Sequence, residues 1–387
     1  MAQSDDGAMT IRLGIDAKRA YFNRSGLGSY SRNLVNALAR YQPERVSIYM
    51  FTPRMKGRLP LDEEASLQVV HPRLSLPRLL QPAWRSCLSV GAMERNRIDV
   101  YHGLSHELPF GIHRSSVRTV LTVHDLIFMR HPEYFNPIDA FMYTRKIRYA
   151  CRIAHRIVAI SQQTRTDLEE LLDIAPQRVE VIPQGCHPRF LQPLSPDVLS
   201  GVAHRHGLPS SYLLCVGTVE RRKNVLAVLK ALHEHRIEVP LVVVGRRTDY
   251  YTRELLPYIE RHGMRNVIFP EDVTDDELPA IYQMALGFIY PSLYEGFGIP
   301  IVEALASGLP VITSRGGCLQ EVGGAACLYV EPSDVRGMGQ AISQLLGSAE
   351  LRGQLLERGR ERVALFAPER IAQQYANIYE SLMPTPR

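Results

Sequence analysis

Residues 290–312 read YPSLYEGFGIPIVEALASGLPVI: a strand end, an acidic glycine-rich turn, a helix start and a second buried strand, in that order. Gly296 and Gly298 let backbone N–H groups come close to an anion. Pro300 suits the first helical position, where no N–H is needed. The helix that follows aims its N-terminal N–H groups and positive dipole end at the turn, which favours a phosphate there. Glu295 and Glu303 stand eight positions apart across the same turn. Carboxylates repel a phosphate, so hydroxyl groups, as a sugar or ribose supplies, are their expected targets. A plainer reading of two such acids is helix-start charge that complements the dipole. The glycines, the proline and the buried flanking strands turn the balance towards capture of a phosphorylated, polyhydroxylated ligand.

The same alternation of short apolar runs with longer helix-like segments extends outward in both directions, the pattern of a parallel α/β sheet. The first half offers IRLGID (11–16), VSIYMF (46–51), DVYHGL (99–104), TVLTVHDL (119–126), RIVAIS (156–161) and VEVIP (179–183). The second offers YLLCVGTV (212–219), LVVVGR (241–246), VIFPED (267–272), GFIYPS (287–292), PVITS (310–314) and CLYVE (327–331). Ser161, with Asp167 and Glu169 to follow, marks a helix start. The Pro-rich polar stretch CHPRFLQPLSPDVLSG (186–201) separates the two series and reads as a linker. A chain of 387 residues suits two domains, here 1–190 and 191–366, followed by a last segment, 367–387. Doubly wound sheets bind ligands beyond the carboxyl ends of their strands. Several polar segments fall there: Arg19 to Gly28, His102 to Glu107, His124–Asp125, Gly217 to Lys223, Gly245–Arg246 and Tyr294 to Gly298.

The six cysteines show no C-x-x-C and no metal-like spacing, which suits buried thiols in a reducing compartment. The opening residues MAQSDDGAMT are polar and acidic, unlike a signal peptide or anchor. No apolar run approaches the roughly 20 residues that span a bilayer, so a cytoplasmic protein is expected. The net charge of +5 is uneven: 26 Lys and Arg against 18 Asp and Glu up to residue 190, then 19 against 22. A basic first half fits either a solubilising surface or an anionic partner such as a membrane face or a pyrophosphate-linked substrate. No nucleic-acid motif and no interleaving of aromatic with basic residues is present, so nucleic acid is not an expected partner.

Four further constellations carry chemistry. In GTVERRKN (217–224) a buried strand runs into Gly217, and Arg222 and Lys223 stand at its carboxyl end, where two fixed cations can neutralise a departing diphosphate. In TVHDL (122–126), His124 follows a β-branched strand and reads equally as a packed core residue or as a ligand contact, by hydrogen bonding or proton transfer. In SGLGSY (25–30), Gly26 and Gly28 allow close backbone approach or simply a tight strand-to-helix turn, and the spacing is not that of a dinucleotide fingerprint. In HGLSHELP (102–109), His102, Ser105, His106 and Glu107 form a polar loop suited to an acceptor; a metal is not expected, because no third or fourth ligand follows at useful spacing. The segment 77–97, with Trp84 and four arginines, reads as a core-packed helix or a membrane-facing one, and Pro82 and Gly91 weaken the second reading.

Together GLGSY, VHD, GTVERRKN and YEGFGIPIVEALASGLPVI resemble the retaining glycosyltransferases of family 4, over about residues 11–382. The HGLSHELP loop and the GTVERRKN form are similar to the branch of bacterial O-antigen and exopolysaccharide mannosyltransferases. The resemblance implies a GT-B fold: two Rossmann-like doubly wound domains facing a central cleft, with the last helix returning to the first domain and closure on ligand. It implies that Glu303 holds the donor ribose and Glu295 the moving sugar, with backbone at Gly296, Phe297 and Gly298 on sugar and diphosphate. Arg222 and Lys223 would grip the diphosphate, Gly217, Gly26 and Gly28 would lie by the phosphates, and His124 would contact the donor sugar near its reacting carbon. No metal or other cofactor is implied. The adjacent Arg222–Lys223 pair departs from many relatives, which separate the two. The expected reaction is transfer of a hexose, mannose from GDP-mannose in this branch, to a lipid-linked or polysaccharide acceptor, by a cytoplasmic enzyme with peripheral contact to an anionic membrane. The rival readings are a nucleotide-sugar 2-epimerase, which needs no acceptor, and a non-catalytic sugar-nucleotide-binding protein.

Overall fold

A computed structural model describes residues 10–72 and 77–384; all of the polar N-terminal stretch except Thr10 lies outside them. The described chain forms two compact units, 1–185 with 367–387, and 186–366.

The first unit is built on a seven-stranded parallel sheet in the order β3-β2-β1-β4-β5-β6-β7. Its strands are β1 (Ile11–Asp16), β2 (Val46–Phe51), β3 (Gln68–Val70), β4 (Val100–Gly103), β5 (Arg118–Val123), β6 (Arg156–Ala159) and β7 (Val179–Val181). The second unit has six parallel strands in the order β10-β9-β8-β11-β12-β13. These are β8 (Leu213–Val216), β9 (Leu241–Val244), β10 (Val267–Ile268), β11 (Gly287–Tyr290), β12 (Val311–Ser314) and β13 (Cys327–Val330). Helices cover both faces of such sheets, so their strands bury both sides and read as continuous apolar runs. β9, LVVV, and β11, GFIY, are buried at every position. All twelve runs singled out in the sequence become strands, each ending where its polar loop begins. The strand not foreseen is β3, only three residues long, half-exposed and at the sheet edge.

In each sheet the strand order reverses once beside its first strand. β1 lies between β2 and β4, and β8 between β9 and β11. Connections leave to opposite sides at such a point and open a crevice at the strand ends.

One expectation is corrected. The stretch 186–201 is not a linker but the folded opening of the second unit. Cys186 N–H donates to Phe366 O (2.9 Å), Phe190 packs edge-on against Tyr282, and Ser195 caps the Pro196–His206 helix. Residues 186–190 therefore belong with the second unit rather than the first. Segment 77–97 is helical from Arg78 to Arg95 but irregular, passing from a 3-10 turn (Arg78–Leu80) through one α turn (Gln81–Ala83) and a π turn (Trp84–Leu88) into the Ser89–Arg95 α-helix. Trp84 is buried there, while Leu79, Leu80 and Leu88 face outward.

The last helix, Pro368–Ser381, packs on the Gly26–Tyr41 helix of the first unit. Ile371, Tyr375, Ile378 and Tyr379 join Leu34 and Leu38 in one core. Tyr375 shares a 2.7 Å hydrogen bond with Tyr30, and Arg45 pairs with Glu380 at 2.6 Å. Ser161 caps the Gln162–Leu172 helix, accepting from Thr164 N–H. Among the described residues no helix is long and apolar enough to cross a membrane.

Candidate active site

At the switch point of the second sheet the loops after β8 and β11 meet. β8 ends at Val216, and Gly217 turns the chain with φ +143°, a conformation that favours glycine. A tight turn, Arg221–Lys223, then sets two cations on the strand end, and Asn224, in the left-handed region, carries the chain into the Val225–Glu234 helix. The Asn224 amide donates to Pro291 O and Pro332 O, tying this loop to those after β11 and β13.

Glu295 receives both cations. Its Oε1 lies 2.5 Å from Lys223 Nζ and 2.8 Å from Arg222 Nη1. Arg222 donates further to Tyr294 O (2.7 Å) and Glu220 Oε1 (2.7 Å), using its fork on three partners. Lys223 also donates to Tyr290 Oη (2.6 Å) and sits 4.7 Å from that ring's centroid. The side chains of Arg222, Lys223 and Glu295 are only 10–16% exposed. Burial pushes the Glu295 carboxyl up, but Lys223 and Arg222 outweigh it and hold the group at about 2. Burial pulls Lys223 below its ordinary value against the pull of Glu295. The Arg222 guanidinium, though buried, is raised by Glu295 and Glu220. The cluster is thus an ionic triad whose carboxylate stands where an anionic ligand would meet the two cations.

Gly296, Phe297 and Gly298 follow, all buried. Phe297 packs edge-on against Phe366, and Gly298, at φ +105°, caps the Ile299–Ala306 helix, with Pro300 in its first turn. The positive φ demands glycine there, and a Cβ would also press on the Leu319 side chain at 2.8 Å. Glu303 lies on this helix and is bonded apart from the triad: Tyr282 Oη donates to its Oε2 at 3.0 Å. Burial raises the Glu303 carboxyl to about 7, opposed by the Tyr282 hydrogen bond.

The first unit holds the remaining sequence candidates. His124, at the end of β5, is 3% exposed. Its Nε2–H donates to Leu104 O (2.7 Å), its Nδ1 accepts from the Gln184 amide (3.3 Å), and Tyr30 packs edge-on against it. A carbonyl only accepts, so the proton is on Nε2. Burial, then His106, hold His124 well below its usual range. Of the readings left open, proton transfer near neutral pH does not fit, and a neutral hydrogen-bonding ring does. His106 Nε2 accepts from the His124 backbone N–H (2.7 Å), stitching the β4 loop to β5. His102 is withdrawn from the acceptor loop: it is fully buried, and its nitrogens are bonded to Tyr379 Oη and Thr122 Oγ1, both at 2.8 Å. It anchors the last helix instead. Ser105 takes a bond from Arg19 (3.3 Å), and Glu107 pairs with Arg85 and Lys146, both at 2.9 Å. Burial raises Glu107, but Arg85 and Lys146 bring it down to about 2. Gly28 is fixed by packing, since a Cβ there would fall 1.8 Å from Asn23 O, whereas Gly26 faces open space.

Sequence reasoning missed Tyr290, Tyr282, Gln184 and Asn224 as parts of these clusters. Tyr290 lay inside the decisive window, but as a strand residue its hydroxyl carried no signal of a lysine partner 67 positions away.

Comparison with known proteins follows the same division. The model of "Glycosyltransferase Family 4" matches residues 24–190, and that of "Glycosyl transferases group 1" matches 203–362. The chain is 31% identical over 316 residues to the O-antigen chain mannosyltransferase B of Escherichia coli, covering 79% of each chain. It is 29% identical over 260 residues to the serotype-specific mannosyltransferase WbdA of Escherichia coli, spanning 64% of this chain and 32% of that protein. Among solved structures, the sucrose-phosphate synthase of Thermosynechococcus elongatus superposes with a TM-score of 0.75 at 22% identity, over 97% of this chain and 99% of that one. That last likeness is one of fold.

Proposed function

The chain belongs to the glycosyltransferases of group 1 and family 4 and has their GT-B fold, and on that premise we propose that it moves mannose from GDP-mannose to a lipid-linked or polysaccharide acceptor, with retention of configuration. The observation that carries the reading is the Arg222–Lys223–Glu295 triad at the switch point of the second sheet. Two buried cations there suit a diphosphate that leaves with an added negative charge. The oxygen of an acceptor hydroxyl bonds to the sugar C1 as the C1–O bond to the diphosphate breaks. The diphosphate takes the electron pair, and the acceptor proton passes to a phosphate oxygen. Arg222 offers a fork and Lys223 a point charge to that group. Diphosphate binding relieves Glu295 of part of its pairing and turns its carboxylate to the sugar hydroxyls, while Glu303 takes the ribose. Backbone N–H groups at Gly296, Phe297 and Gly298 complete the donor side. Ser105 and Glu107 of the first unit are the candidates for the acceptor.

The cations supply the charge that a metal would otherwise bring, so no metal is required, and activity should survive a chelator unchanged. The kinship to an O-antigen chain mannosyltransferase and to a serotype-specific mannosyltransferase supports the choice of mannose. All six cysteines are free, which fits a reducing cytoplasm. Incubating the protein with GDP-mannose, UDP-glucose and ADP-glucose, each with and without a mannosylated lipid acceptor, tests the reading, with transfer followed by mass spectrometry and any epimer by chromatography of the released sugars. Acceptor-dependent gain of a hexose from GDP-mannose is expected. Gain from another donor alone would reject the mannose assignment, and an epimer formed without acceptor would reject transfer.

A further inference from the structure

Strand β11 reads GFIY, and Phe288 and Tyr290 share one face of it. Their rings stack with centroids 5.8 Å apart and an interplanar angle of 20°. Packing on that face would be served equally by a second phenylalanine. The Tyr290 hydroxyl is an addition, and a buried hydroxyl costs stability unless it is bonded. Tyr290 is 3% exposed, and its Oη accepts from Lys223 Nζ at 2.6 Å. Burial, then Glu295, push the phenol well above its ordinary value, so its O–H stays protonated and is also hydrogen-bonded to Glu295. The backbone beneath is fixed as well: Thr313 Oγ1 on β12 donates to the Tyr290 carbonyl at 2.8 Å.

Lys223 is also confined at Gly217. A Cβ there would lie 3.3 Å from Lys223 Cε and 3.7 Å from its Nζ, so the lysine stem runs along the end of β8. An ammonium has three N–H donors. Tyr290 Oη takes one, and Glu295 Oε1 takes another at 2.5 Å. A diphosphate competes with Glu295 for the lysine, since both are anions. The neutral phenol competes with neither and can keep its bond throughout. We propose that Tyr290 is a positioning residue for the transfer reaction: it holds the Lys223 ammonium at the end of β8 and aims it at the leaving diphosphate as Glu295 lets go. The inference rests on the diphosphate reading of the triad and goes beyond it by naming the group that aims the lysine.

Tyr290→Phe removes the hydroxyl and leaves the ring on Phe288. GDP and UDP, which share the diphosphate, are titrated calorimetrically into the full chain, Tyr290→Phe, Lys223→Ala and the double variant, each shown by its melt to be folded. Lys223→Gln closes the same cycle if Lys223→Ala does not fold. Tyr290→Phe alone should weaken the tighter nucleotide by about three- to tenfold. The same change made beside Lys223→Ala should weaken it by less than about twofold, because Tyr290 acts through the lysine. The pH response gives a second readout. Glu295, Arg222, Glu220 and the Cys318 thiol also face Lys223 and are untouched by the change. A hydroxyl acceptor favours the charged ammonium, so the deficit of Tyr290→Phe should widen as pH rises from about 8 to 9.5. An equal loss in both lysine backgrounds, constant with pH, would mean that the hydroxyl only packs, and would overturn the inference. Affinity lowered by Lys223→Ala but not by Tyr290→Phe would overturn it too and leave the reading of the triad standing. Affinity unchanged by Lys223→Ala, or no binding of either nucleotide to the parent, would overturn both.

Discussion

Lys223 is a buried ammonium held charged by a single carboxylate, and much follows from that pairing. Glu295→Gln removes the anion and leaves Arg222 and Lys223 facing each other with little water. Breaking a buried pair in this way should destabilise the second unit by about 3 kcal/mol or more. GDP should then raise the melting temperature of the variant by more than it raises that of the parent, because the diphosphate replaces the lost anion. An equal or smaller rise would show that the diphosphate binds elsewhere. Glu303 gives a pH signature. Its folded value, about 7, lies above the ordinary 4.5, so the folded state holds the proton more tightly between those values. Stability from this group is full below about pH 4.5 and is lost as pH rises through 7. Accepting hydroxyl bonds favours the carboxylate, so GDP affinity should rise from pH 6 to 8, roughly across that value, and calorimetry in two buffers should show proton release. Glu303→Gln should abolish both effects; a pH dependence that survives it belongs to another group.

At the scale of elements, the last helix is held by hydroxyls as well as by apolar packing. Tyr379→Phe leaves the buried Nδ1 of His102 without its partner and should cost about 1–3 kcal/mol in urea unfolding. A neutral result would mean that a water or a rotated His102 takes its place. Gly28→Ala should distort the turn at Asn23 and weaken the first unit, while Gly26→Ala should be tolerated. The strands were legible because parallel strands buried on both faces are short, continuous apolar runs. β3 was not, because Gln68–Val70 is too short and too exposed to stand out. The residue types of the site were legible too, but their pairings were not. Lys223 and Glu295 are 72 positions apart, and only the adjacency of β8 and β11 brings them together. His102 misled for the same reason: a polar residue at a strand end reads as a loop group until the helix that covers it is known.

Over the whole molecule, two doubly wound units each gather candidate groups at the carboxyl ends of strands at or near the reversal of strand order, and each carries its own response to pH. Burial holds His102 at about 3, and His124 is likewise neutral when folded. An unfolded histidine takes up a proton near 6.5, so the first unit should lose stability as pH falls below that value, by up to about 1.4 kcal/mol per pH unit for each ring. Thermal melts from pH 7 to 5 should show this loss, and His102→Asn should lessen it by one ring's share; a first unit as stable at pH 5 as at pH 7 would contradict the buried neutral rings. The central claim is that Arg222 and Lys223 receive the diphosphate of a sugar nucleotide. Isothermal titration of GDP into the full chain and into Lys223→Ala, both shown to be folded, tests it most directly. Loss of one charge-assisted contact predicts an affinity about 10- to 100-fold lower in the variant. Equal affinity in the two proteins would contradict it.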